Sequence, residues 1–288
     1  MRRFARFACF DWSGAAVLRP PGIALAIIDR AGPPRMIEPP GGWSRMGALD
    51  WLREAAAAGE DMLIGIDFSP ALPFADSGAY FPGWSDSPAD ARALWALVDD
   101  LTAGDLHLSV STLFAHPEIA RYFRQHGGRQ GDRFGSRGGG RLRLTEERAK
   151  ALRLSPSSTF NCVGAAQVGK SSLTGMRLLH KLGGAIPIWP FDAVPETGPL
   201  LVEIYTSLAA RAAGLAPGRS KLRTPAALNA ALIRFEAAPL AMPRHDDHRA
   251  DAALTAAWLR HVADDPALWH PADLDRVAMT EGWTFGVT

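Results

Sequence analysis

Residues Phe4 to Phe10 are largely apolar and end at Asp11, and Ser13-Gly14 then supplies a turn before a second apolar run, Ile23 to Ile28. The pair predicts a β-hairpin. Pro33-Pro34 follows, and Arg35 to Ile37 predicts a short third strand. From Gly47 to Ala58 the apolar positions recur at helical spacing in an alanine-rich segment closed by Gly59, which predicts a helix. Met62 to Ile66 is a continuous apolar run stopped by Asp67, and Pro70 and Pro73 prevent its extension. This is the pattern of a strand covered on both faces. Downstream, Asp90 to Leu101 predicts a helix and Asp105 to Val110 a strand. Leu200 to Tyr205 predicts another buried strand with Glu203 inside it, followed by helices near Ser207 to Ala213, over Pro225 to Phe235 and from His248 to Val262. Strands alternating with helices after an opening hairpin specify an α/β fold, a mixed β-sheet with helices on both faces. The 288 residues show no internal repeat and are read as a single domain.

Between Arg121 and Arg143 this order breaks. The segment holds seven arginines, seven glycines and one acid, Asp132, so it is strongly basic within a chain whose net charge is only +1. Such a composition buries little apolar surface, which predicts a flexible insertion at about 121–145. Its Arg129, Arg133, Arg137 and Arg141 are candidates for contact with a nucleic-acid backbone, because each neutralised phosphate releases counterions. A solvated loop without a ligand accounts for the same residues. The rest of the chain is ordinary for a globular protein: 47% hydrophobic and 21% charged residues exclude disorder and coiled coil. Two cysteines, Cys9 and Cys162, are too few for a disulfide scaffold or a four-cysteine zinc site and point to a cytoplasmic protein. Asp11 interrupts the apolar start after the early arginines, so no secretion signal is expected. The longest aliphatic run, Ile23 to Ile28, falls far short of the roughly 20 residues that span a bilayer, so no membrane partner is expected.

Asp11, Asp67 and Glu203 each sit in or at the end of an apolar strand-like segment, where an unpaired carboxylate costs several kcal/mol. If the strands carrying Asp11 and Asp67 are neighbours, their separation of roughly 4.8 Å puts both acids within reach of one hard cation. Asp247 and Asp251 are spaced i,i+4, and His248 and Asp251 i,i+3, so one helix face carries polar ligands. Ala252 to Leu259 is almost entirely apolar, so this helix packs on the core and takes Asp251 with it. Each acid alone has an ordinary reading as a turn former, a helix cap or the partner of an arginine. Together they point to a site for Mg²⁺ or Mn²⁺, formed from Asp11, Asp67, Glu203 and Asp251.

Short pieces along the chain carry a resemblance. They are Phe10-Asp11-Trp12-Ser13-Gly14, Ile64-Gly65-Ile66-Asp67-Phe68-Ser69-Pro70, Gln167-Val168-Gly169 with Thr174-Gly175-Met176, Trp189-Pro190-Phe191, Val202-Glu203-Ile204-Tyr205, Asp251-Ala252-Ala253 and Glu281-Gly282-Trp283. In their order and spacing they resemble the ribonuclease H-like superfamily, and within it the predicted nucleases grouped as domain of unknown function 429. The resemblance covers nearly the whole chain, least clearly the arginine-glycine segment. It implies a ribonuclease H-like mixed sheet, opening with a β-hairpin, whose carboxylates bind divalent metal, and by analogy a nuclease. It further implies two metal ions bridged by Asp11, with Asp67 and Glu203 completing one side and Asp251 the other, these four being the catalytic carboxylates. Asp247 or His248 is implied as a further ligand or proton-transfer group. One position departs from the family: Thr206 follows Tyr205 where proline is common, a change expected to leave the ligands untouched.

A rival signal overlaps one of these pieces. Gly164 to Ser171 satisfies G-x-x-x-x-G-K-S, the loop that cradles phosphates in nucleotide hydrolases, with Lys170 and Ser171 in the working positions. That loop needs a strong apolar strand before it, and Ser157 to Val163 is a poor one. Gly175 also falls inside the helix that should follow, at a cost of about 1 kcal/mol relative to alanine. In the nuclease reading Lys170 is an accessory residue at a substrate phosphate or a surface charge. A third reading keeps the fold and the basic segment as a catalytically silent nucleic-acid-binding module.

Overall fold

The computed structural model describes residues 2–135, 139–164, 167–216 and 221–288. Arg137 therefore lies outside the described residues. In chain order the elements are β1 (Arg6–Asp11), β2 (Ala24–Asp29), β3 (Pro34–Ile37), α1 (Arg45–Ala57), β4 (Met62–Ile66), α2 (Ala91–Leu101), α3 (Pro117–Ala120), α4 (Leu144–Ala151) and α5 (Val168–Leu182). They continue with β5 (Ile188–Trp189), β6 (Leu200–Glu203), α6 (Thr206–Ala212), α7 (Pro225–Ile233), α8 (Asp247–Val262) and α9 (Leu274–Val277). The six strands form one mixed sheet in the order β3-β2-β1-β4-β6-β5. The β1-β2 and β2-β3 pairs are antiparallel, and β4 pairs parallel with β1 and β6, as β5 does with β6. The fold is α/β, as expected.

Between their ends the central strands are apolar because helices cover both faces. Ala8, Phe10, Ile64, Ile66 and Leu201 point into a core shared with α1, α2 and α5. Phe7, Cys9, Leu63, Val202 and Ile204 point the other way, into a core shared with α6, α7 and α8. The helix starts are fixed by side chains: Ser44 accepts from the amide of Gly47 at the head of α1, and Asp90 from that of Ala93 at the head of α2. Among the described residues no helix is long and apolar enough to cross a membrane.

Two expectations change. Asp105 to Val110 is not a strand: Leu106–Leu108 is a short 3₁₀ turn in which His107 and Leu108 have φ of 60° and 52°, incompatible with extended backbone. The basic segment is fastened to the body through its described residues. Tyr122, Phe123 and Phe134 are buried, the aromatic groups spaced among the glycines supplying what average composition does not reveal. Its arginines are largely spent internally. Arg121 pairs with Asp132 and Glu118, Arg133 donates to the Pro82 carbonyl, and Arg141 binds Asp76 and the carbonyls of Pro73, Ala79 and Tyr80.

Helix α5 runs unbroken through Gly175, and the reason is steric. A Cβ at Gly175 would stand 2.3 Å from Cδ2 of Phe68, whose ring is wedged against the helix. Alanine gains about 1 kcal/mol of helix propensity, but an overpacked ring contact costs typically 1–3 kcal/mol. Gly175→Ala is therefore expected to lower stability despite improving the helix, and the penalty should vanish in a Phe68→Ala background. Chemical denaturation of the four variants of this cycle measures the coupling; additive effects would contradict the packing argument.

Candidate functional site

The parallel pairing of β1 with β4 sets the first contact. Phe10 is in register with Ile66, and the amide of Asp67 donates to the Phe10 carbonyl at 3.0 Å, so the next residues along, Asp11 and Asp67, stand side by side. Helix α8 supplies the third acid. Asp246 caps it by accepting from the amide of Arg249 at 2.9 Å, and Ala250, Ala252, Ala253, Ala256 and Ala257 are fully buried, so the helix lies close over β1 and β2. Gly65 adds to this closeness, since a Cβ there would meet Leu259 and Ile204 at 2.8 Å. Asp251 is thereby carried inward to 5% exposure, the same as Asp11.

Cations and donors answer these acids incompletely. His248 Nδ1 lies 2.5 Å from Asp11 Oδ2, and the Lys221 ammonium is ion-paired with Asp251. Thr206 Oγ1 donates to Asp67 Oδ2 at 3.5 Å, so the residue after Tyr205 touches the cluster. Asp247, one turn before Asp251 and left free by the Asp246 cap, adds its field at both Lys221 and Asp251. Burial, then the charges of Asp11 and Asp251 and a hydrogen bond with Asp11, hold the Asp67 carboxyl well above the usual range. Burial pushes Asp251 up to about 6, with Lys221 opposing and Asp11 adding to the rise. The hydrogen bond to Asp11 raises His248 despite its partial burial. The Cys9 thiol, two residues before Asp11 on the same face, is raised by burial and then by Asp67, Asp11 and Asp251, which places all three charges around it.

Glu203 stands apart from this cluster. It is in register with Ile66, and because side chains alternate along strands it faces the side opposite Asp11. There Arg143, itself fully buried, binds both its oxygens at 2.5 and 2.9 Å, and Thr284 Oγ1 donates to it at 2.9 Å. The ordinary reading of this acid, as the partner of an arginine, is the one observed. Arg143 also bonds Glu146, Ser69 and the Glu281 carbonyl. The Glu281 carboxylate in turn accepts from the amides of Phe74, Ala75 and Leu144. Asp67 opens onto a cleft of about 230 Å³ whose lining includes Trp12, Ser69, Gln167, Ser171 and Tyr205.

The donor chemistry, four carboxylates against one ammonium and one imidazole, fits a hard divalent cation. As the side chains stand, no group of three or more His, Cys, Asp or Glu residues among those described is arranged to hold a metal ion. The Gly169 amide and the Ser171 hydroxyl of the Gly164–Ser171 motif are engaged elsewhere. The Gly169 amide donates to the Asn161 carbonyl at 2.9 Å, the Ser171 hydroxyl to the Val168 carbonyl at 2.8 Å, and described residues 157–164 contain no strand of the sheet. Lys170 lines a second cavity with Arg129. Sequence reasoning missed Lys221, Arg143 and Thr206. Only Thr206 left a signal, as the departure after Tyr205; the other two are cations remote in the chain from the acids they serve.

No protein-family model, curated protein or solved structure matches this chain.

An acid whose pKa is higher in the folded than in the unfolded state stabilises the fold below its ordinary range, and loses that contribution as pH rises through the folded value. For Asp251 the window runs from the ordinary carboxylate range up to about 6. In chelator-treated protein, wild type is expected to lose stability relative to Asp251→Asn as pH climbs across that window. Urea unfolding at about pH 4.5 and about pH 7 checks this; parallel changes in both proteins would remove Asp251 as the cause.

Proposed function

We propose that this chain is a divalent-metal-dependent phosphodiester hydrolase acting on nucleic acid, built on a ribonuclease H-like sheet. The observation that carries the proposal is the convergence of Asp11, Asp67 and Asp251 from two adjacent strands and one helix, with the carboxyls of Asp67 and Asp251 raised by burial and by the neighbouring charges. An antiparallel β1–β3 unit followed by parallel β4 and β6, with acids at the ends of β1 and β4, supports the fold reading. Two free, buried cysteines suit a reducing compartment such as the cytoplasm.

Asp11, Asp67 and Asp251 would hold Mg²⁺ or Mn²⁺, with Asp247 at the edge of the site and Lys221 displaced from Asp251. Such a cation supplies Lewis-acid stabilisation of charge on phosphoryl oxygens. Glu203 is not in this ligand set; with Arg143 it braces the wall of the cleft. His248 is held through Nδ1 by Asp11, which orients the ring and strengthens it as a base, leaving Nε2 to accept or release a proton. Trp12 and Tyr205, with the hydroxyls of Ser69 and Ser171, line the cleft beside Asp67 and offer the stacking and hydrogen bonds that a single strand uses.

The test is cleavage of labelled single-stranded, duplex, hybrid and branched nucleic acids by wild type and by Asp67→Asn, with Mg²⁺ or Mn²⁺. Wild type is expected to cut at least one substrate, and Asp67→Asn to lose activity on the order of a thousandfold, the several kcal/mol a catalytic cation contributes. Turnover of no substrate, or full activity in Asp67→Asn, overturns the proposal.

A further inference from the structure

A second cavity, of about 200 Å³, opens beside the first turn of α5 and is lined by His126, Arg129 and Lys170 together with Gln125, Ser111 and Phe114. No acid lines it. Among the described residues none of its three cationic or basic side chains forms an ion pair, although Arg121, Arg141 and Arg143 of the same segment are all paired. The cationic Lys170 and Arg129 side chains, gathered without a counter-ion, favour the entry of an anion, and the His126 imidazole is a further hydrogen-bonding group. The backbone is shaped to gather them. Gly127 and Gly128 both have φ of +77°, a turn that glycine makes without strain, and this turn brings His126 and Arg129 to the same cavity.

The cavity and the carboxylate cleft are close neighbours. Gly14 is packed so tightly on α5 that a Cβ there would stand 2.5 Å from the Lys170 carbonyl carbon and the Ser171 amide nitrogen. Trp12 and Ser171 line the cleft at Asp67, while Gly14 and Lys170 line the basic cavity, so residues adjoining this contact line both. Roughly 30 Å³ per water in the liquid means the space takes a phosphate group and part of its sugar rather than a stacked nucleotide.

We infer that the Lys170–Arg129–His126 cavity is a phosphate-binding subsite, which anchors a phosphate of the nucleic-acid strand next to the one presented to Asp11, Asp67 and Asp251. The identity of the phosphate's carrier rests on the proposed nuclease activity; the anion preference of the cavity does not. Lys170 and Arg129 act as positioning residues, taking the phosphate bidentately and as a point charge respectively for arginine and lysine. Ser111 and Gln125, with a hydroxyl and an amide, line the same cavity.

The experiment measures binding of inorganic phosphate and of a short single-stranded oligonucleotide by calorimetry in chelator, for wild type, Asp67→Asn and the double variant Lys170→Ala/Arg129→Ala, with thermal unfolding of each as a check on folding. The double variant is expected to bind the oligonucleotide at least about tenfold more weakly, with a salt slope shallower by about 0.7, the value for one phosphate no longer neutralised on a single strand. Asp67→Asn, which takes a negative charge away from the cleft, should bind at least as tightly as wild type, and Lys170→Arg should restore most of the affinity lost in Lys170→Ala. Unchanged affinity and slope in a folded double variant overturn the subsite, even if wild type cleaves nucleic acid. Phosphate binding that needs both cations, without oligonucleotide binding, overturns the nucleic-acid strand as carrier. Oligonucleotide binding that depends on both cations, in a protein that cleaves nothing, upholds the subsite and overturns the nuclease reading instead.

Discussion

Two carboxylates forced side by side organise this structure. The register of β1 against β4 leaves Asp11 and Asp67 adjacent where the strands end, beneath a helix that excludes most water. Like charges about 4 Å apart near a protein surface repel by about 4 kcal/mol at an effective dielectric of 20, and Asp251 adds a third. Much of the surrounding sequence responds to that repulsion. His248 bonds Asp11, Lys221 pairs with Asp251, and Thr206 donates to Asp67. A protein has little structural reason to bury acids in this way. Hydrophobic residues of similar volume would pack the same space at lower cost, so packing alone does not account for the cluster.

Glu203 and Arg143 make the contrast plain. Both acids, Glu203 and Asp251, lie in apolar segments and are almost equally buried, at 7% and 5% exposure. Glu203 receives a buried guanidinium on both oxygens and a hydroxyl besides. Asp251 receives one ammonium from a half-exposed lysine. The first is a structural ion pair with its hydrogen-bonding capacity filled; the second retains capacity for another cation.

Much of this was legible in the chain. Continuous apolar runs closed by Asp11 and Asp67 identified two central strands and the acids at their ends, because a strand covered on both faces cannot tolerate a polar residue before its end. The apolar stretch after Asp251 likewise required the helix to carry that acid inward. What failed did so for physical reasons. Glu203 shares the same local pattern as the other acids, but the face it occupies is set by strand register, which depends on residues far away in sequence. Helix α5 was obscured because Gly175 looks like a helix breaker until Phe68 is seen against it. The basic segment looked unstructured because average composition hides the spacing of Tyr122, Phe123 and Phe134, and because partners of Arg133 and Arg141, Asp76 and the carbonyls of Pro73, Ala79, Tyr80 and Pro82, lie 51 to 68 positions upstream.

The knot around Glu281 has a consequence for the order of events during synthesis. Its carboxylate holds the amides of Phe74, Ala75 and Leu144, its carbonyl receives Arg143, and a few residues later Thr284 and Phe285 bond Glu203. The strand carrying Asp67, the helix start at Arg143 and the strand carrying Glu203 are thus joined by residues that leave the ribosome after all of them. Until residues 281–285 have emerged, Arg143 and Glu203 lack part of their shell and the wall of the cleft is incomplete. The β1–β3 hairpins draw on residues made long before, whereas the arrangement that braces the cleft waits for residues 281–285.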